Sequence, residues 1–236
     1  MNKRKCHPES GPESGNVIFF VLLAVVLIGL VTAAMRHGGA DSANIDSEQI
    51  LVNASSVKQY ASELERGVVM ILTAGDTSEV DIRFSHPIAP ADYGNDYTVT
   101  PQAQVFSPKG GGAEYRVPPA GINDGSGWEF YGHSRLPDVG GDRADLVAVL
   151  PNVTQEFCDQ INDMNDYTAT PADLGAGQTD CVHGGATMRF DNGTQYNDIT
   201  TNITDEGSFS VKPAMEGCVS CVADGALHFF HVLHVR

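Results

Sequence analysis

Val17–Ala34 is a run of eighteen residues without a charged side chain, interrupted only by Gly29 and Thr32. No other feature limits the possible folds so tightly. As a helix it would extend about 27 Å at ~1.5 Å per residue, close to the ~30 Å hydrocarbon core of a bilayer. Lys3, Arg4 and Lys5 precede it, and only Arg36 follows closely before acidic residues take over. The positive-inside rule then puts the N-terminus in the cytoplasm and the remaining chain outside, as a single-pass protein. A cleavable signal has a shorter apolar core and a small-x-small site. Thr32-Ala33-Ala34 offers such a site, but the length of the run favours a retained helix.

Helical patterning resumes after His37-Gly38-Gly39. Apolar residues recur at Ile45, Ile50 or Leu51, Ala54, Val57, Ala61, Leu64, Val68 and Leu72, mostly three or four apart. That is the period of a one-sided helix. Asp41 or Ser42 is placed to cap its start, and Lys58, Ser62, Glu63, Glu65 and Arg66 fill its other faces. The expected organisation is a basic leader (1–15), a transmembrane helix (16–36), an amphipathic stalk helix (37–74) and an outer domain (75–236).

A short basic leader ending in Gly15, the opening Asn16-Val17-Ile18-Phe19-Phe20 and an apolar helix running into an amphipathic half resemble the type IV pilin and pseudopilin family. The LPDVGGD…DLVAVLP and HFFHVLHVR stretches are similar to a set of bacterial pilin-like proteins. The resemblance covers about the first 72 residues. It implies cleavage by a prepilin peptidase between Gly15 and Asn16, residence in the inner membrane, and assembly with other pilin-like subunits. It also implies a long helix packed on a C-terminal β-rich domain in the periplasm or outside the cell. Asn16 stands where the family usually has Phe or Met, and Phe20 stands where it has a glutamate. The charge pair that this glutamate is thought to make with a neighbouring subunit's amine is therefore absent. A tip-located minor pseudopilin also lacks it, so major and minor subunit both stay open. Ala24, Gly29 and Ala33 are small enough for close helix packing.

Beyond residue 75 the chain turns to short β-branched or alternating runs, in a composition with 25 Gly and 12 Pro. Strands are expected at Glu79–Phe84, Tyr97–Thr100, Gln104–Phe106, Glu114–Val117, Gly127–Tyr131, Asp145–Leu150, Ala186–Phe190, Ser208–Val211 and Ala226–Val235. Pro151 should end the apolar DLVAVL strand and open a helix over Asn152–Asn165. The fold class expected is α+β, with a long N-terminal transmembrane and stalk helix packed on an antiparallel sheet. In the last strand Leu227, Phe229, His231, Leu233 and Val235 share the more apolar face, which should meet the stalk.

Few residues point to chemistry. Cys158, Cys181, Cys218 and Cys221 are an even number on the outer side, which suggests two disulfides in one of three connectivities. Cys218-Val219-Ser220-Cys221 has redox or zinc spacing, but Gly217 and Asp224-Gly225 place it in a loop context, and only His183 near Cys181 is on offer as a further ligand. His228, His231 and His234 would share a face on a helix but split between faces on a strand. Asp138, Asp142 and Asp145 surround a Gly-Gly turn that offers oxygens to calcium, the one candidate cofactor, though fewer than the ~6–8 ligands it takes. No nucleotide-binding or hydrolase motif occurs, so no enzymatic activity is expected. The net charge of −16 excludes nucleic acid as a partner. The function expected is that of a pilin-like structural subunit or minor component of a type IV pilus or type II secretion pseudopilus. The alternative is a membrane-anchored outer binding module, calcium-stabilised, that does not polymerise.

Overall fold

The computed structural model describes residues 19–28, 41–75, 77–90, 93, 98–173, 181–190, 195–196 and 206–236. Two compact units divide the chain, Met1–Glu48 and Gln49–Arg236. In the first unit residues 19–28 form helix α1, apolar on every side. Helix α2 (Asp41–Thr73) follows the periodicity read above.

Among the described residues no helix is long and apolar enough to cross a membrane. The ten described residues of α1 span about 15 Å, against a ~30 Å hydrocarbon core. The one long helix, α2, carries Glu48, Lys58, Glu63, Glu65 and Arg66 and is not apolar. These findings overturn the transmembrane half of the expected fold class and the single-pass inner-membrane location with a periplasmic or extracellular domain. They also leave the membrane, pilus and secretion designations without support. What holds is an α+β chain with, among the described residues, three α-helices and a five-stranded sheet.

The second unit is built on the strands β1 (Glu129–Ser134), β2 (Asp145–Leu150), β3 (Ala172–Asp173), β4 (Glu216–Cys221) and β5 (Leu227–His234). Their order in the sheet is β1-β2-β5-β4-β3. All neighbours are antiparallel except β3 and β4, so the sheet is mixed where an antiparallel one was expected. The apolar run DLVAVL becomes β2, buried at every residue, because both faces of the sheet are covered.

On one face lie α2 and helix α3 (Gln155–Met164), where Val57, Leu64 and Val68 join Trp128, Leu146 and Phe229 in the larger core cluster. Each of these large side chains contributes roughly 1.5–3 kcal/mol by leaving water. On the other face Tyr131, Val147, Val149, Val219 and Phe230 form a second cluster under loops. The alternation in β5 works as its sequence implies. Phe229 and Leu233 pack in the cluster that holds α2, while Phe230 and Val232 face the other way.

Helix α3 starts three residues later than Pro151 suggests. Asn152 sits at φ +53, and the backbone N–H groups of Val153 and Thr154 donate to Leu227 and Ile122 instead. Thr154 then caps the helix, accepting from Phe157 N at 3.3 Å. Several expected strands are absent. Glu79–Asp81 and Ala186–Met188 are 3-10 turns, and Glu114–Val117 and residues 209–211 have no strand pairing. Arg83 and Gln104 meet only as an isolated bridge.

Candidate functional site

The CxxC segment lies in β4, not in the loop its flanks suggest. A strand alternates faces, so residues three apart point to opposite sides. Cys218 accordingly enters the cluster under α3, and Cys221 the cluster on the other face. Each finds a partner there. Cys158 of α3 pairs with Cys218, and Cys181 pairs with Cys221, with Cα separations of 5.3 and 5.7 Å. This is one of the three open connectivities, and it puts the two CxxC sulfurs in separate disulfides.

The second disulfide holds residues 181–185 beside the turn that joins β4 to β5. In that turn Gly225 has φ +72, a conformation that favours glycine, and Asp224 Oδ1 accepts from Ala226 N at 2.9 Å. Its other oxygen, Oδ2, lies 3.1 Å from His228 Nε2 and 3.7 Å from His183 Nδ1. The two imidazoles stack with their centres 4.8 Å apart. His228 is fully buried, and its Nδ1 accepts from Asn152 N at 3.4 Å. Burial and the neighbouring His183 push His228 down to about 4, so the ring is neutral at ordinary pH.

His183 is backed by Glu129 of β1, whose Oε2 lies 3.3 Å from Nε2. Burial alone would raise the Glu129 carboxyl. The bonds from His183, from Arg189 Nη2 at 2.5 Å and from the Tyr131 hydroxyl outweigh it and bring the group down to about 2. Glu129 is thus an ionised acceptor inside the protein.

The three strand histidines separate as the two-residue period requires. His231 faces the helices, with Nε2 3.1 Å from Glu65 of α2 and Nδ1 2.8 Å from Glu216 of β4. His234 Nε2 lies 3.4 Å from Glu79. Only His228 joins the cluster around Asp224.

The calcium candidates go elsewhere. Asp145 is buried and accepts backbone N–H bonds from Leu136 and Arg236, and burial pushes its carboxyl above the usual range. Asp142 is exposed and pairs with Arg135, while Asp138, at φ +56, is exposed beside the turn. The turn itself clasps the chain end: Gly141 N donates to Arg236 O at 2.7 Å, and a Cβ on Gly140 would lie 2.4 Å from that oxygen. The structure does not gather these three carboxylates.

Among the described residues two groups could hold a metal, each with ligand atoms within 4.8 Å of one another: His183, Asp224 and His228, and Cys181, Cys221 and His228. Neither Asp224 nor Glu129 was singled out from sequence. The usable signals were Asp224 four residues before His228, and His183 two after Cys181.

In α1 the assembly candidates Phe20 and Ala24 are exposed together with eight apolar neighbours. The processing pair Gly15 and Asn16, and the small residues Gly29 and Ala33, lie outside the described residues. No protein-family model, curated protein or solved structure matches the chain.

Proposed function

We propose that the chain is a structural subunit that assembles with copies of itself through its N-terminal helix, the role that the pilin-like resemblance of its first 72 residues implies. One observation carries this reading. Nine large apolar side chains of α1, from Phe19 at 61% to Ile28 at 65%, are exposed on all sides of the helix. A helix apolar all round belongs in an interior. Fully burying nine such side chains would contribute on the order of 14–27 kcal/mol at about 1.5–3 kcal/mol each, comparable with or above the roughly 4–15 kcal/mol lost on association. Ala24 lets a neighbouring helix approach closely. The net charge of −16 opposes close packing of copies, so salt should promote assembly.

The test compares the full chain with its Leu23→Asp and Val26→Asp variants by sedimentation velocity and negative-stain microscopy, at low and high salt. The wild type should form regular assemblies, more readily at high salt, and both variants should stay monomeric with unchanged circular dichroism. A wild type that remains monomeric, or variants that assemble as it does, would sink the proposal.

A further inference from the structure

We propose that His183 Nδ1, Asp224 Oδ2 and His228 Nε2 form a binding site for a divalent first-row transition metal of the Zn²⁺ class, with Glu129 orienting His183 from behind. Three separate segments deliver these atoms: residues 181–185, the β4–β5 turn, and β5.

The first argument is orientation. Glu129 Oε2 lies 3.3 Å from His183 Nε2 and so backs the ring on the side away from Nδ1. Nδ1 faces Asp224 Oδ2 at 3.7 Å, beyond hydrogen-bond distance but within reach of a shared ion. A cation between the two atoms would be coordinated by both. The carboxylate–histidine–metal arrangement that results is the usual way a protein fixes a ligating imidazole.

The second argument is spacing. A tetrahedral ion with bonds of about 2.0–2.1 Å holds its ligand atoms roughly 3.3 Å apart. The separations from Asp224 Oδ2 are 3.1 and 3.7 Å, and all three ligand atoms lie within 4.8 Å of one another. The stacked rings, 19° from parallel, must turn so that both nitrogens aim at one ion. Coordination at His228 Nε2 displaces the proton there. It moves through solvent to Nδ1, giving up the long 3.4 Å contact from Asn152 N.

The third argument is access and selectivity. His228 is fully buried, His183 is 21% exposed and Asp224 40% exposed, so the ion would be held from inside with one side open to water. Three protein ligands with an open position match a reactive or ligand-accepting centre more than a closed structural one. Two imidazoles and one carboxylate favour zinc-like ions over calcium or magnesium, which prefer all-oxygen sites. The Cys181–Cys221 disulfide fastens both flanks of the site, since His183 lies two residues beyond one cysteine and Asp224 three beyond the other.

The experiment uses the full chain with its disulfides intact, stripped with a chelator and titrated with Zn²⁺ and separately with Ca²⁺ by calorimetry. One equivalent of Zn²⁺ should bind and Ca²⁺ should not compete. His183→Ala and Asp224→Asn should each weaken binding at least tenfold with circular dichroism unchanged. Glu129→Gln should weaken it about 10- to 100-fold, the range for a residue behind a metal ligand. Absence of stoichiometric binding would overturn the proposal. So would equal binding by the His183 and Asp224 variants, which would mean an adventitious ion only. Binding that appears only after a phosphine reduces the disulfides would also overturn it, because the ligands would then be the thiolates of Cys181 and Cys221.

Discussion

Replacing Asn162 should destabilise the second unit more than any ordinary polar substitution. Its side chain lies 97% out of solvent and mimics a strand edge. Nδ2 donates to Cys218 O at 3.0 Å, and Oδ1 accepts from Cys218 N at 2.9 Å. The edge of β4 needs this because β3 is only two residues long and pairs with Ser220 and Cys221, leaving Cys218 beyond its end. Asn162→Ala would leave a fully buried N–H and C=O without partners. At about 1–3 kcal/mol for each stranded group, the loss should be about 2–6 kcal/mol. For a unit of this size, at ~2–4 °C per kcal/mol, that corresponds to a fall in Tm of roughly 4–24 °C. Asn162→Asp keeps the acceptor but sets a second carboxylate oxygen against Cys218 O. It should therefore be worse than alanine at pH 7 and recover partly in acid, where the protonated carboxyl can donate. Thermal unfolding followed by near-UV circular dichroism, with disulfides intact, measures both. An alanine variant within about 0.5 kcal/mol of wild type, well below the ~1–3 kcal/mol of a single stranded group, would refute the reasoning. So would an aspartate variant whose deficit is the same at every pH.

Three further predictions rest on other contacts. Peptide mapping without reduction should recover Cys158 linked to Cys218 and Cys181 linked to Cys221, and a Cys218–Cys221 bridge would contradict the strand geometry. Removing the first bridge as Cys158→Ala/Cys218→Ala, which closes a separation of 60 residues, should cost about 4 kcal/mol in urea unfolding by the chain-entropy relation. Glu216 also makes stability pH-dependent. Burial alone would raise its carboxyl, but bonds from His231 and Lys58 hold it below the usual carboxylate range. The unfolded chain therefore takes up the proton first, so the stability Glu216 contributes is present above about pH 4.5 and lost as pH falls below it. Glu216→Gln should flatten that part of the urea midpoint–pH curve; an unchanged slope would show that Glu216 does not set it.

Much of the second unit is legible in the sequence where pattern and burial agree. DLVAVL has no polar interruption, and β2 begins and ends where that run does. The α2 stripe is legible because Ala54, Val57, Ala61, Leu64 and Val68 recur at helical spacing and are all buried. β4 is not legible, since Glu216-Gly217-Cys218-Val219-Ser220-Cys221 has neither alternation nor a run. It is a strand because β5 pairs along its whole length and Asn162 satisfies its other edge. The opposite error occurs at Glu79–Phe84, whose residues suit a strand but find only the Arg83–Gln104 bridge as a partner. Strand propensity expresses fit to a neighbour more than a property of the segment. The apolar run misled for a related reason. Its composition matches a membrane span, while the described helix covers ten residues of it. The candidate metal site was half hidden because its ligands are 41 and 4 residues from Asp224 in sequence, brought together by a disulfide and a tight turn.

β5 explains how two unrelated roles can coexist in so small a unit. Its period of two sends Phe229, His231 and Leu233 toward α2, with His231 held between Glu65 and Glu216. The same period sends His228 to the opposite side, toward Asp224 and His183. Helix anchoring and the proposed ion coordination thus draw on alternate residues of one rigid strand. Neither set of contacts shares a side chain with the other, so perturbing His183 or Asp224 leaves the α2 interface its full complement of partners. Energetic coupling is weak between groups that share no partners. Metal affinity and the stability of the α2 interface are therefore separable measurements on this chain.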